Sequence, residues 1–342
     1  MLLPVFLPAT FLSTMSRSTQ NTEPEVMTVP TVHVAAGVLV DSQGNVLLAR
    51  RAADSHQGGL WEFPGGKLES GEQVQQALFR ELQEELGIQV REARPLIRVP
   101  HRYADRTVIL DTWRVTEWDN QPEGREGQPL VWVPSGQLPN WPMPAADRPI
   151  LRALSLPDRY LITPPVCENQ TGFLLQLRQA LETGISLVQF RVFGLRKTQL
   201  ENLAIKARML CDEYDARMLL NGPVELARKT GAHGLHLDRR RLSVLNDRRE
   251  YEGLLLAASC HDAGELRLAQ SAGVDFAVLS PVLPTRSHPD AEALGWEGFG
   301  ELCRDISIPV YALGGMTPDL LEQSWRQGAQ GIAAIRGLWP SF

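Results

Sequence analysis

Residues 66–88 read GKLESGEQVQQALFRELQEELGI, and most of this stretch has the periodicity of a helix that buries one face. Val74, Leu78, Leu82 and Leu86 recur at every fourth position, Ala77 joins them, and no proline interrupts residues 71–88. Ser70-Gly-Glu-Gln73 has the form of a capping box, and Gly87 suits the left-handed residue that closes a helix. A helix is therefore expected from about Glu72 to Leu86. At about 100° per residue, Glu81 and Glu85 stand about 40° apart around its axis and Glu84 about 60° to the other side of Glu81. Three carboxylates then share one face near the negative end of the helix dipole, where like charges repel by a few tenths of a kcal/mol. Something cationic should offset this. Taken alone, such a helix reads as a solvated acidic face. It follows Trp61-Glu-Phe-Pro-Gly65-Gly66, however, and a diglycine lets backbone approach a ligand and can turn a free carbonyl to a cation. Mg²⁺ takes such oxygens and leaves positions for substrate phosphates.

The same residues fill all nine fixed positions of the Nudix box, G-x5-E-x7-R-E-U-x-E-E-x-G-U with U aliphatic, and the chain resembles the Nudix hydrolases there. Leu48 to His56, Trp61 to Lys67, Asp105-Arg106, Gly124 to Pro129 and Pro144 to Pro149 follow in the order found in bacterial MutT proteins. That similarity spans Val32 to Ala153. It implies a Nudix α/β/α sandwich and an 8-oxo-dGTP diphosphatase that uses Mg²⁺, or Mn²⁺ in its place. The product would be 8-oxo-dGMP and pyrophosphate, keeping an oxidised base out of DNA. Carried over position by position, the resemblance implies that the Gly65 carbonyl, Glu81, Glu84, Glu85 and Glu126 surround the metal. Arg51, His56 and Arg106 would contact the nucleotide, with Glu62, Phe63, Pro64 and Gly65 bordering the base pocket. Glu81, Glu84 and Glu126 all remain candidates for the group that takes the proton of the attacking water. Asp147 departs from the pattern, since the family commonly has an Asn there that reads the purine edge. An amide donates and accepts, an ionised carboxylate only accepts, and a buried carboxyl that keeps its proton again does both. A Nudix hydrolase of another nucleotide, or of a thiamine-pathway diphosphate, is the alternative.

The chain of 342 residues, 43% of them hydrophobic, is long enough for two cores. Pro139, Pro142, Pro144, Pro149 and Pro157 mark a break, and the expected division is an extension at 1–28, a Nudix unit at 29–156 and a second unit at 157–342. From Arg159 onward, eight strand-like runs alternate with helical stretches, which predicts a TIM-type (β/α)8 barrel. The runs are Arg159 to Thr163, Leu187 to Val192, Arg217 to Asn221, Gly234 to Leu237, Leu254 to Ser259, Phe276 to Ser280, Pro309 to Leu313 and Gly331 to Ile335. Gln189-Phe-Arg191, Ser259-Cys-His261, Leu279 to Thr285 and Ala312 to Thr317 resemble thiamine-phosphate synthase and its relative TenI. Gly314-Gly315, followed by a helix opening at Thr317-Pro318, is expected to cradle a phosphate, so a thiamine or thiazole phosphate is a candidate ligand of the barrel. The synthase needs acids where this chain has Gly222 and Arg241, and a basic loop residue where it has His288. A degenerate synthase is expected. His261 is either an acid–base group, as a TenI-like tautomerisation would use, or an inert feature of a strand end.

Net charge is −6, from 34 basic and 40 acidic residues, and no basic cluster is interleaved with aromatics. A nucleic-acid partner is not expected, and Arg239-Arg-Arg241 reads as solvent-facing. Four scattered cysteines without a C-x-x-C fit reduced thiols in a cytoplasmic enzyme. Residues 1–28 lack a basic n-region and a small-residue cleavage site, and two prolines break their apolar run, so the stretch reads as a disordered extension, with Met27 a second candidate start. No apolar run is long enough to cross a bilayer.

Overall fold

The structure, a computed structural model, describes residues 30–54, 57–245, 247–285 and 292–340. The expected extension at 1–28 lies outside the described residues. The first half contains β1 (Thr31–Leu39), β2 (Asn45–Arg50), β3 (Trp61–Glu62), β4 (Gly65–Lys67), α1 (Val74–Leu86), β5 (Gln89–Arg102), β6 (Thr107–Asp119), β7 (Leu130–Pro134) and α2 (Arg148–Ser155). One sheet has the order β4-β1-β6-β5 and a second β3-β2-β7. β1 runs parallel to β6, while β4 and β5 are antiparallel to their neighbours. Helix α1 lies on one side, where Ala77, Leu78, Leu82 and Leu86 are fully buried against Ala35, Leu39, Leu47 and Val115. Each buried leucine contributes about 2 kcal/mol through the apolar surface it removes from water. Helix α2 closes a separate core on the other side with Val38, Leu48, Ile97, Val99 and Ile150, which makes the α/β/α sandwich.

Helix α1 begins two residues later than its sequence predicts. Its cap is Gln73, whose N–H donates to the Gln76 side chain at 3.0 Å, so Ser70 does not cap it. Glu72 is drawn away instead: its carboxylate accepts from the Glu69 N–H at 2.9 Å and takes both prongs of Arg80 at 2.9 and 3.0 Å. A charged fork outcompetes a neutral cap. At the other end Gly87 adopts φ 72°, as expected.

The second half contains β8 (Arg159–Ile162), α3 (Gln170–Glu182), β9 (Leu187–Phe190), α4 (Lys197–Glu213), β10 (Arg217–Leu220), α5 (Val224–Thr230), β11 (Gly234–Leu237), α6 (Arg239–Ser243), β12 (Leu255–Cys260), α7 (Ala263–Ser271), β13 (Phe276–Leu279), α8 (Gly295–Cys303), β14 (Val310–Leu313), α9 (Leu321–Arg326) and β15 (Gly331–Ala334). The eight strands form a closed parallel barrel, each followed by helix or loop on the outside, as the alternation predicts. Tyr160, Leu187, Leu219, Phe276, Val278 and Tyr311 fill the interior, together with Leu156 from the end of α2. The Nudix half thus helps to plug the barrel's floor, and Tyr311 Oη donates to the Pro157 carbonyl.

The halves are fastened along this seam. Gln330 Nε2 donates to the carbonyls of Ala153 at 3.0 Å and Leu156 at 3.1 Å, and Arg152 reaches Asp275 at 3.1 Å. Ser307 Oγ donates to the Pro100 carbonyl, and the Arg94 guanidinium lies 4.1 Å from the ring centroid of Trp325. Among the described residues no helix is long and apolar enough to cross a membrane. All four cysteines are free and buried.

Candidate active site

The diglycine and helix α1 meet edge to face. Gly65 sits at φ 144°, a conformation that side chains avoid, and a Cβ on it would come within 2.1 Å of the Ala35 carbonyl oxygen. Gly66 has no such backbone demand, yet a Cβ there would fall 2.2 Å from the Glu81 carboxyl. The missing side chains are what let Glu81 and Glu85 lie against β4. Glu85 Oε2 accepts the Gly65 N–H at 3.1 Å. Burial pushes its pKa up to about 8, and the charges of Glu126, Glu81 and Glu62 push the same way.

Glu126 reaches this group from a loop tied to the end of α1. Arg125 N–H donates to the Glu85 main-chain carbonyl at 3.0 Å, Gln128 Nε2 to the same carbonyl at 3.1 Å, and Gln128 Oε1 accepts the Glu126 N–H at 2.9 Å. A cavity of about 440 Å³ opens here, walled by Arg50, Arg51, Glu62, Pro64, Glu85 and Glu126 among others. Arg51 forms an ion pair with Glu62. Burial raises the Glu62 carboxyl in spite of that cation.

The three carboxylates of α1 divide between two partners, Glu85 turning to the Gly65 N–H and Glu81 and Glu84 to Arg80. Glu84 is 58% exposed and turned to Arg80 at 3.1 Å, while Glu81 takes the same guanidinium at 2.8 Å. Arg80 also donates to the Lys67 carbonyl, so this one cation offsets the repulsion expected along α1 and is held firmly charged. Its fixed place in the box was the signal available in the sequence, and no role was read from it. Arg106 is paired with Asp105 at 2.6 Å at the surface and does not line the cavity. Phe63 belongs to the core beside α2. His56 lies outside the described residues.

Asp147 is 5% exposed, and its Oδ2 has no hydrogen-bond partner. Burial pushes its pKa up to about 8, Glu62 adds to the rise and Arg51 opposes it. Tyr103 stands in the same group: its phenol is raised by burial and by Asp147, and it bonds to Gln57 and to the Ala146 main chain. Neither Tyr103 nor Gln57 was singled out by sequence reasoning.

Among the described residues no three carboxylate, imidazole or thiol groups form a ready metal cage. The donor set still fits a hard cation. Glu85, Glu81 and Glu126 offer oxygen only, burial and then the charges of Glu126 and Glu81 raise the Glu85 pKa, and Glu85 and Glu126 border an open cavity. These three and the Gly65 carbonyl are the groups that would hold it.

The barrel mouth is organised differently. Gly314 and Gly315 have φ 102° and 69°, and Cβ atoms on them would come within 3.0 Å of Pro281 and 2.9 Å of Leu283, so the turn after β14 lies tight against the loop after β13. Thr317-Pro318 opens only a single 3-10 turn, Pro318–Leu320, before the six-residue α9. The helix expected to open there thus starts as a 3-10 turn and runs on directly into α9. His261 Nδ1 lies 2.9 Å from the Ser280 carbonyl and must donate to it, which leaves Nε2 as the acceptor. Arg241, expected to face solvent, is partly exposed and bonds Asp238 at 2.7 Å and Asn221 at 3.5 Å. Inside the barrel Tyr160 Oη lies 3.1 Å from His236 Nδ1, and His236 Nε2 lies 2.7 Å from Ser259 Oγ. Burial, and then Arg191, drives the His236 pKa down to about 3. His288 lies outside the described residues.

An α/β/α sandwich with a carboxylate-lined cavity, joined to a closed (β/α)8 barrel, defines a two-domain α/β protein. The profile of the family described as thiamine monophosphate synthase matches residues 159–338, and that of the NUDIX domain matches residues 35–153. The chain belongs to the thiamine monophosphate synthase family and carries a NUDIX domain ahead of it. A putative thiamine-phosphate synthase 2 from Aquifex aeolicus is 33% identical over 182 residues, covering 53% of this chain and 97% of that protein. An 8-oxo-dGTP diphosphatase from Proteus vulgaris is 50% identical over 96 residues, covering 28% and 86%. A CTP pyrophosphohydrolase from Escherichia coli is 38% identical over 122 residues, covering 36% and 90%.

Proposed function

We propose that the first domain hydrolyses 8-oxo-dGTP to 8-oxo-dGMP and pyrophosphate, and that the barrel binds a thiamine-type or thiazole phosphate without synthase turnover. The observation that carries the first part is the cavity in which Arg51 stands opposite Glu85 and Glu126, with Asp147 buried behind Glu62 and Arg51. Arg51 would bind and orient the anionic nucleotide, and Glu81, Glu85, Glu126 and the Gly65 carbonyl would hold Mg²⁺ or Mn²⁺. When bound, that ion offsets charge developing on the phosphate oxygens. Glu126, on its tethered loop, is best placed to take the proton of the attacking water: Glu85 is bonded to the Gly65 N–H, and Glu81 and Glu84 to Arg80. A protonated Asp147 both donates and accepts, so it would read the base edge as an amide does.

The Proteus and Escherichia relatives carry names for different nucleotides, so substrate choice is the point to test. Turnover of 8-oxo-dGTP, dGTP, CTP and thiamine diphosphate on one preparation should favour the oxidised nucleotide by tenfold or more in kcat/KM. A smaller preference removes the assignment and leaves a Nudix hydrolase of another diphosphate.

For the barrel, Arg241 occupies Asp238 and Asn221 and so neutralises the carboxylate at the mouth. That favours ligand binding over a metal-dependent displacement. Calorimetry with thiamine phosphate should give saturable binding, and steady-state assays should give no synthase product.

A further inference from the structure

The larger cavity lies away from both sites just described. It is a cleft of about 610 Å³ between the domains, walled on one side by β5 and β6 and on the other by α8, the start of β14 and α9. Its wall carries an unusual concentration of unserved polar atoms. Among the described residues eight buried side-chain nitrogen or oxygen atoms have no hydrogen-bond partner, and four belong to residues lining this cleft: Arg98 Nε, Thr112 Oγ1, Trp325 Nε1 and Gln330 Oε1. Each such atom is costly to leave unpaired away from water. Gln330 cannot turn to relieve itself, because its amide nitrogen is held by the carbonyls of Ala153 and Leu156.

Chemistry narrows what would serve them. Arg98 and Trp325 are donors only, Gln330 Oε1 is an acceptor, and Thr112 is both. Arg98 faces Asp111 across β5 and β6, but Asp111 is engaged by His33, and Arg98 has no carboxylate within ion-pair distance among the described residues. At the exposed rim, Arg326 is taken by Glu322, and Glu297 and Glu301 stand with Arg304. Deeper in the wall, between β5 and β6, Arg98 is the charged group without an ion pair among the described residues, and it is a cation. Leu96, Ile97, Trp113, Ile306 and Val310 supply apolar sides. The four atoms are shielded from solvent, so reaching them takes a small parting of the seam, which joins separately cored domains.

We propose that this interdomain cleft binds a small flat organic anion, with its carboxylate or phosphate on Arg98 and a donor–acceptor ring edge against Trp325, Thr112 and Gln330. Clefts between domains that combine apolar walls with a few converging polar groups are where such ligands bind. This site stands apart from the Nudix carboxylates and from the barrel mouth.

The full chain is titrated with nicotinate, nicotinamide and adenosine monophosphate while tryptophan fluorescence is followed, since Trp113 and Trp325 both line the cleft. Nicotinate or adenosine monophosphate should give saturable change at about 1 mM or tighter, and which of them does so distinguishes a carboxylate from a phosphate ligand. Nicotinamide should bind at least tenfold more weakly. Arg98→Gln should weaken the anion at least tenfold, Thr112→Val should weaken it while conserving shape, and Glu85→Gln should leave it unchanged. Arg98→Gln should also keep the hydrolase activity. Saturation by neither anion, equal binding of nicotinamide, or equal affinity in Arg98→Gln and Thr112→Val overturns the proposal and leaves these polar atoms to water.

Discussion

Two carboxyl groups of the first domain, half-buried Glu85 and buried Asp147, have pKa values raised well above that of a solvated acid. Glu85 is pushed up by burial and by three neighbouring acids, so its charge is costly without a cation. Glu85→Gln removes the charge and keeps the shape. It should lower hydrolysis by about a hundredfold or more while leaving the melting temperature at pH 7 unchanged or slightly raised, measured by steady-state assay and calorimetry. Retained turnover would remove Glu85 from the proposed metal site. Asp147 gives a pH signature. Its pKa stands at about 8 in the folded chain against an ordinary 3.8, so the native state keeps a proton that the unfolded state has released. Stability conferred at this position is therefore present below the ordinary value and falls as pH rises toward 8, by up to about 1.4 kcal/mol per pH unit. Asp147→Asn should abolish that slope. The variant should match the parent near pH 4 and exceed it near pH 8 in denaturant titrations, and parallel curves would show that Asp147 is ionised in the native state. His236 works in the opposite sense, because its depressed value makes stability fall as pH drops from about 6.5 toward 3.

At the scale of elements, β4 and α1 act as one unit because two glycines let a strand lie against a helix at the point where its carboxylates emerge. Gly66→Ala tests this without demanding a new backbone conformation. The added methyl would meet the Glu81 carboxyl at 2.2 Å, and that carboxyl is the flexible end of a side chain that can swing aside. Stability should fall by only about 1 kcal/mol while kcat falls at least tenfold, so thermal melts and kinetics should part company. A large loss of both would mean that β4 itself had been displaced. The same unit shows what the sequence could and could not reveal. Leu78, Leu82 and Leu86 announce α1 by period alone, and eight apolar runs spaced by helical text announce the barrel, because periodicity is a property of neighbours in the chain. Ser70 looked like the cap, but Arg80 takes Glu72 and the start moves to Gln73. The burial of Asp147, the Arg80 bond to the Lys67 carbonyl and the Gln128 bond to the Glu85 carbonyl depend on partners far off in the chain or on the fold around them. No spacing rule encodes these.

The whole molecule behaves as more than two domains on a string, since the end of α2 is part of both. Leu156 belongs to the barrel's interior cluster, and the carbonyls of Ala153 and Leu156 are served by Gln330, just before the last strand of the barrel. This closes the ring of strands against the Nudix domain where β15 pairs with β8. Unfolding of the barrel must therefore expose the end of α2 and remove support from the core that Ile150 and Ala153 share with Val38 and Leu48. A single calorimetric transition is expected for the full chain. Gln330→Leu keeps the bulk but leaves the Leu156 carbonyl without its Gln330 donor and the Ala153 carbonyl with the Leu156 N–H alone, at a cost of about 2 kcal/mol. The variant should melt lower and, with the seam loosened, split into two transitions, the barrel unfolding first. If it still melts as one unit at the parent temperature, the domains are coupled instead through other ties across the seam, among them Arg152–Asp275, Arg94–Trp325, Ser307 to the Pro100 carbonyl and Arg217 to the Ser155 carbonyl.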